Sequence, residues 1–325
     1  MQKEHIIIVG GGPCGMSCAI ELKNKNIKAL IIEKENIVNT IYNFPTHQMF
    51  FSSSEKLEIG NVAFITERQK PVRNQALAYY RSVAERQSLR INPFEKVRNV
   101  IKKDQFFYVN TVTSNGEQIS YRAQNVIIAT GYYDQPNYLG IPGEDLDKVM
   151  HYFKEAHPYF QKNVLVIGGK NSAVDATLEL HKAGANVTVL YRGETYSKSV
   201  KPWILPEFDA LVRKNKVKME FNAEVLEITN SQVFYETNGE KKSIANDFVF
   251  AMTGYKPDHD FLRQVGIKID EQSGRPQFDE DTLETNIPGV FVAGVIAAGY
   301  NNNEIFIENG RLHGELIANS IVKRH

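Results

Sequence analysis

A short apolar run that breaks into a glycine-rich turn and then resumes with helical spacing occurs twice in this chain. Residues 6–15 read Ile-Ile-Ile-Val-Gly-Gly-Gly-Pro-Cys-Gly, and Glu33 closes the unit. Residues 164–173 read Val-Leu-Val-Ile-Gly-Gly-Lys-Asn-Ser-Ala, with Arg192 in the matching place. In such a turn the first glycine permits the tight reversal. The second lets a pyrophosphate approach the backbone, and the third lets helix and strand pack closely. The helix that follows offers free N–H groups and a favourable dipole to an anion.

The residue that closes each unit reads the ribose. A carboxylate such as Glu33 suits the hydroxyls of an adenosine, whereas the guanidinium of Arg192 suits a 2′-phosphate. Two sites with opposite readers imply one tightly held flavin nucleotide, FAD, and one exchangeable NADPH. The expected fold class is therefore α/β, with two Rossmann-like, three-layer ββα nucleotide-binding domains. Residues 125–131 (Asn-Val-Ile-Ile-Ala-Thr-Gly) and 247–254 (Asp-Phe-Val-Phe-Ala-Met-Thr-Gly) share a strand that ends in Thr-Gly, so the two domains are related. The second domain interrupts the first: 1–132 and 255–325 form the FAD domain, and 133–254 the NADPH domain.

Around these anchors the pattern predicts buried strands over 4–9 and 28–33, with a helix over 16–25 between them. A further helix is expected over 75–86, and a hairpin over 106–122 about Asn115-Gly116. The second unit repeats a strand to Ile167, a helix over 171–183 and a strand over 186–191. A last strand is expected over 288–294, and a single closing helix over 304–322.

The candidate FAD contacts are Gly10, Gly12, Pro13 and Gly15 in the turn, Glu33 and Lys34 after the second strand, and Thr130, Gly131 and Gly294 at later strand ends. His47 and Gln48 lie in an irregular aromatic stretch, 39–54, which reads equally as a flavin-contacting loop or as ordinary surface. The candidate NADPH contacts are Gly168, Gly169, Lys170, Asn171, Ser172, Ala173 and Arg192. Lys170 stands where the middle glycine is usual; it either loosens the hold on the pyrophosphate or reaches a phosphate itself. Lys198 and Lys201 lie just beyond Arg192 and could add charge. Trp203, between Pro202 and Ile204, reads as a packing residue.

Cys14 and Cys18 are the only cysteines among 325 residues, too few for a disulfide framework, and the chain reads as cytoplasmic. Cys14 sits at a helix N-terminus, where the dipole lowers a thiol pKa and favours the nucleophilic thiolate; the same place also demands a small packing residue. Cys18, one turn on, reads as core. Acidic and basic residues balance at 38 each, so nothing argues for nucleic acid or an anionic membrane. No apolar run approaches the roughly 20 residues of a membrane span, and the start does not read as a signal peptide. No second histidine or carboxylate gives His47 a metal-ligand spacing, so no metal is expected.

The two turns, the two Thr-Gly strands and the Gly-Val-Phe-Val-Ala-Gly ending resemble the low-molecular-weight thioredoxin reductase-like flavoproteins over nearly the whole chain. Two departures separate it from them. Those reductases carry C-x-x-C just before the second turn, where this chain has His151-Tyr-Phe-Lys-Glu-Ala-His157 and no cysteine. They also have Gly-Asp after the last strand, where Val295 follows Gly294 here. A nearer resemblance is to the YpdA family of bacillithiol disulfide reductases. It rests on Gly-Gly-Gly-Pro-Cys-Gly, on Asn43-Phe-Pro-Thr-His-Gln-Met-Phe-Phe-Ser-Ser-Ser54, on Gly-Gly-Lys-Asn-Ser-Ala and on Ala293-Gly-Val-Ile-Ala-Ala-Gly-Tyr300.

That resemblance implies NADPH-dependent reduction of a small disulfide through FAD, with Cys14 as the redox residue. It also implies a link to bacilliredoxin and a homo-oligomer, and it makes Lys170 and Val295 family traits. From the residues alone three other readings stay open: a ferredoxin or flavodoxin reductase, a flavin monooxygenase, and a non-enzymatic NADPH sensor.

Overall fold

The protein is described here from a computed structural model, which covers residues 1–301 and 303–323. The chain forms two compact units: Met1–Gln135 with Lys256–His325, and Pro136–Tyr255.

In the first unit the strand Ile6–Val9 is the middle of a five-stranded sheet. It pairs in parallel with Ala29–Ile32 on one side and Asn125–Ile128 on the other; Val290–Val292 and Ile91–Asn92 complete the edges. All four residues of Ile6–Val9 are buried, as a central parallel strand covered on both faces requires. The pleat divides them between two cores. Ile6 and Ile8 pack with Met16, Leu22, Tyr80 and Ile317, which come from the helices Pro13–Asn24, Arg73–Arg86 and His313–Val322. Ile7 and Val9 pack with Val97, Phe107, Val109 and Tyr121 of a second sheet. That sheet orders Gln2–Lys3, Gln118–Ala123, Phe106–Thr113 and Glu95–Lys103. The result is the ββα sandwich expected of a nucleotide-binding domain.

The second unit repeats the plan on a smaller scale. Asn163–Ile167 is central, flanked by Asn186–Leu190 and Phe248–Ala251, with Lys218–Glu220 and Val149–Met150 at the edges. Val164 and Val166 face the helices Asn171–Lys182 and Leu205–Arg213. Leu165 and Ile167 face the antiparallel strands Ala223–Ile228, Gln232–Thr237 and Glu240–Ala245.

The hairpin about Asn115-Gly116 is present, with Phe107 opposite Ala123 and Val112 opposite Gln118. Its partner Glu95–Lys103 escapes a reading by apolar periodicity, because a bulge between Val97 and Asn99 breaks the alternation and Glu95 takes an inward place. The closing helix differs from expectation. It is split into Ile307–Gly310 and His313–Val322, and residues 304–306 are not helical. The break coincides with Gly310, where a Cβ would fall 3.0 Å from the Cys14 sulfur and 3.1 Å from Ile305. No helix among the described residues is long and apolar enough to cross a membrane.

Candidate functional site

The first turn is built by crowding on one side and space on the other. Gly10 has φ +110°, and a Cβ there would lie 2.5 Å from the carbonyl oxygen of Ala129. Gly15 could carry no side chain either, because its Cβ would strike the carbonyl of Gly10. Gly12 is the opposite case: a Cβ would meet nothing within 4 Å. Gly12 is the N-cap of the helix Pro13–Asn24, and no side chain caps it. The helix start is thus uncapped and the space beside Gly12 is open, which leaves room for an anion.

Glu33 stands beside that turn and is 7% exposed. Its carboxylate accepts the N–H of Gly11 at 2.6 Å and the N–H of Glu35 at 3.0 Å. Burial raises its pKa, and the two N–H bonds oppose the rise. Lys34 forms an ion pair with Asp134 at 2.9 Å. Thr130 follows the strand Asn125–Ile128, and its Oγ1 is buried without a hydrogen-bond partner among the described residues. A buried hydroxyl left unsatisfied costs about 1–3 kcal/mol. The open space at Gly12 and the orphaned hydroxyl of Thr130 both fit a bound dinucleotide.

His47 is exposed and Gln48 half-buried. Their loop is held by Arg73, a buried arginine that sequence reading passed over because it sits at a helix start. Its guanidinium donates to the carbonyl of Tyr42, and its own N–H donates to the carbonyl of Gln48 at 2.8 Å. Phe44 then packs edge-on against Tyr133.

Cys14 is the second residue of its helix, and its sulfur is pressed between two glycines. A Cβ on Gly294 would come within 2.9 Å of it, and one on Gly310 within 3.0 Å. The N–H of Gly294, which has φ +78°, donates to Nδ1 of His313 at 3.1 Å. Cys14 and His313 thus meet on the same glycine, a relation hidden in the sequence by roughly three hundred intervening positions. Nδ1 accepts, so the imidazole bears its proton on Nε2 when neutral, and burial pushes its pKa down. The expected fall in the Cys14 pKa is overturned. Burial pushes the thiol up to about 12. The residue as a whole keeps some exposure, but the titrating sulfur is the enclosed part. Cys18 is buried core, its pKa raised by the same cause, and both cysteines are free thiols.

The second turn copies the first in outline. Gly168 has φ +137°, with the carbonyl of Met252 where Gly10 has that of Ala129. Lys170 is the N-cap at φ −100°, ψ −173°, near the φ −75°, ψ 175° of Gly12. The open direction at Gly12 explains how a lysine is accommodated in this place, and Lys170 is exposed. Asn171 is engaged with a neighbouring loop: it donates to the carbonyl of Ser199 at 2.8 Å and accepts the N–H of Lys201 at 2.9 Å. Ser172 is half-buried at the helix start, and Ala173 is fully packed. Trp203, read as a packing residue, is instead 60% exposed, with Lys201 6.0 Å from its ring.

The matching of Glu33 with Arg192 shifts by one residue. Gly10 donates its N–H to the carbonyl of Ile32, and Gly168 donates to that of Leu190. Glu33 and Tyr191 are therefore the equivalent next residues, and Arg192 corresponds to Lys34. Tyr191 lies against Gly169 as Glu33 lies against Gly11. Arg192 is exposed.

Residues 7–294 match the family model of pyridine nucleotide-disulphide oxidoreductases. A bacilliredoxin reductase Bdr of Bacillus subtilis (strain 168) is 63% identical over the whole chain and 99% of its own length. The solved structure of a bacillithiol disulfide reductase Bdr (YpdA) from Bacillus cereus is 61% identical and superposes with a TM-score of 0.99, each chain being covered completely. Its counterpart from Staphylococcus aureus is 57% identical with a TM-score of 0.95, covering all of this chain and 99% of that one. This chain belongs to the Bdr (YpdA) family of pyridine nucleotide-disulphide oxidoreductases.

Proposed function

We propose that this protein is an NADPH-dependent flavoenzyme that reduces bacillithiol disulfide, in a pathway that also serves bacilliredoxin. The observation that carries the reading is the pair of nucleotide turns with different neighbours, Glu33 at one and Tyr191-Arg192 at the other. The relatives' names supply the substrate class.

In this reading FAD is held by the first unit. Gly10, Gly12, Pro13 and Gly15 give its pyrophosphate an uncapped helix start, and Glu33 accepts from its ribose. Thr130, Gly131 and Gly294 line its path, Thr130 gaining the partner it lacks. Lys34 acts there through its pair with Asp134, and His47 and Gln48 border the ring side. NADPH is held by the second unit at Gly168, Gly169, Ser172 and Ala173. Lys170 and Arg192 meet its phosphates, and Asn171 fixes the adjoining loop. The protein works as a homo-oligomer.

When bound, the flavin relays two electrons from NADPH to the disulfide. The Cys14 thiol, once deprotonated, attacks one sulfur of the substrate. The attack expels the other half as a thiolate, which takes up the proton that Cys14 gave up, and leaves a mixed disulfide on Cys14; two electrons and two protons then restore the Cys14 thiol and free the second substrate thiol. The high pKa of Cys14 places the burden on proton removal, and His313, tied to the same Gly294, keeps the neighbouring backbone in position.

The test is turnover. Purified protein with NADPH and bacillithiol disulfide yields two thiols per NADPH consumed. A protein that consumes NADPH without producing thiol refutes the assignment.

A further inference from the structure

Tyr191 occupies the place that reads the ribose in a dinucleotide fold, and it fills that place in an unusual way. A Cβ on Gly169 would lie 2.5 to 2.6 Å from Cγ, Cδ1 and Cδ2 of the Tyr191 ring. A Cβ on Gly193 would lie 2.5 to 3.0 Å from Cε1, Cζ and Oη of the same ring. Neither glycine has a positive φ, so what each provides is room rather than a special backbone conformation. The ring is thus laid flat across the backbone at both ends, in a slot that only paired glycines leave open.

The first unit shows what the alternative looks like. There Glu33 reaches back to the N–H of Gly11, and its remaining lone pairs can accept from ribose hydroxyls. A phenol ring pressed onto glycine offers neither the two acceptor oxygens nor the negative charge. A carboxylate in that place would attract a 2′-hydroxyl and repel a 2′-phosphate. An aromatic face tolerates either ribose and leaves the choice to Arg192, the next residue, whose exposed guanidinium can pair with a phosphate monoester.

We infer that Tyr191 is a specificity-determining residue of the second nucleotide site. Its ring, seated between Gly169 and Gly193, keeps a carboxylate out of the ribose position and gives the 2′-phosphorylated adenosine a flat floor beside Arg192. The inference rests on the proposed NADPH site and sharpens it. Arg192 attracts the phosphate, and Tyr191 removes the group that would prefer its absence.

The experiment is equilibrium binding of NADP⁺ and of NAD⁺ to the FAD-loaded protein, by calorimetry, with no turnover required. Tyr191→Glu restores the residue type of the first site. It should lower the ratio of NADP⁺ to NAD⁺ affinity by about tenfold or more, the worth of one charge-assisted hydrogen bond. Gly193→Ala lies outside the glycine turn and forces the ring from its seat without changing charge. It should weaken NADP⁺ binding several-fold in a protein whose circular dichroism is unaltered. An unchanged ratio in Tyr191→Glu, or unchanged NADP⁺ affinity in Gly193→Ala, overturns the assignment of Tyr191. Equal affinities of the unaltered protein for the two nucleotides overturn the NADPH site itself, a distinguishable failure.

Discussion

The N–H of Gly11 donates to the Glu33 carboxylate at 2.6 Å, so the glycine turn and the residue that follows the strand Ala29–Ile32 are joined by a direct bond. Removing the carboxylate frees two backbone donors, that of Gly11 in a buried place and that of the exposed Glu35. Glu33→Ala should therefore weaken FAD retention by about ten- to a hundredfold, the worth of one hydrogen bond to a charged group. Fluorescence of FAD released on dilution measures it. Wild-type retention would mean that Glu33 braces the turn without contributing to FAD binding.

Arg192→Ala should raise KM for NADPH by about ten- to a hundredfold and leave NADH little changed, since the contact proposed for it is to the 2′-phosphate alone. Steady-state kinetics with both nucleotides decides the point. Equal losses for the two would mean that Arg192 supports the loop and not the phosphate.

Cys14→Ala should keep FAD and keep flavin reduction by NADPH, because alanine fits between Gly294 and Gly310 and hydride arrives from the other nucleotide. Only thiol production should fail. Burial that pushes the thiol up to about 12 adds a pH signature. Alkylation of Cys14 in the holoprotein should be slow at neutral pH and accelerate into the alkaline range. A labelling rate that is already maximal at neutral pH would reveal a stabilised thiolate and contradict the burial argument.

Asp175, on the helix Asn171–Lys182, has its pKa raised to about 6 by burial first and by Glu179 second, with Lys182 opposing. The folded chain thus holds this proton more tightly than the unfolded chain, whose value is near 3.8. Between those values the native state binds more protons, so stability falls as pH rises from about 4 through 6 and the cost persists above. Asp175→Asn should recover on the order of 2–3 kcal/mol at pH 8 and almost nothing at pH 4. Denaturant melts at the two pH values check it, and an equal gain at both would place the effect elsewhere.

Both nucleotide turns and their flanking strands were legible because their signals are local. Ile6–Val9 and Asn163–Ile167 are uninterrupted apolar runs, and Gly10 and Gly168 sit where backbone crowding admits nothing else. Glu95–Lys103 was not legible, since a bulge between Val97 and Asn99 breaks the two-residue alternation that would join Val97 to Val100, and its first inward residue is the buried Glu95. The meeting of Cys14 with Gly294, Gly310 and His313 joins opposite ends of the chain, and no spacing rule connects them. The one-residue shift from Arg192 to Tyr191 had a different cause. A charged residue is easily matched to a phosphate in sequence, whereas two glycines making room for a ring are seen only in three dimensions.

The most direct test of the central claim separates the two half-reactions. The FAD-loaded protein is reduced anaerobically with one equivalent of NADPH, then mixed with bacillithiol disulfide while the flavin absorbance is followed. Rapid return of the oxidised spectrum, with two equivalents of bacillithiol released, is the predicted result. A flavin that stays reduced with the disulfide, yet is re-oxidised at once by ferredoxin or by oxygen, would contradict it.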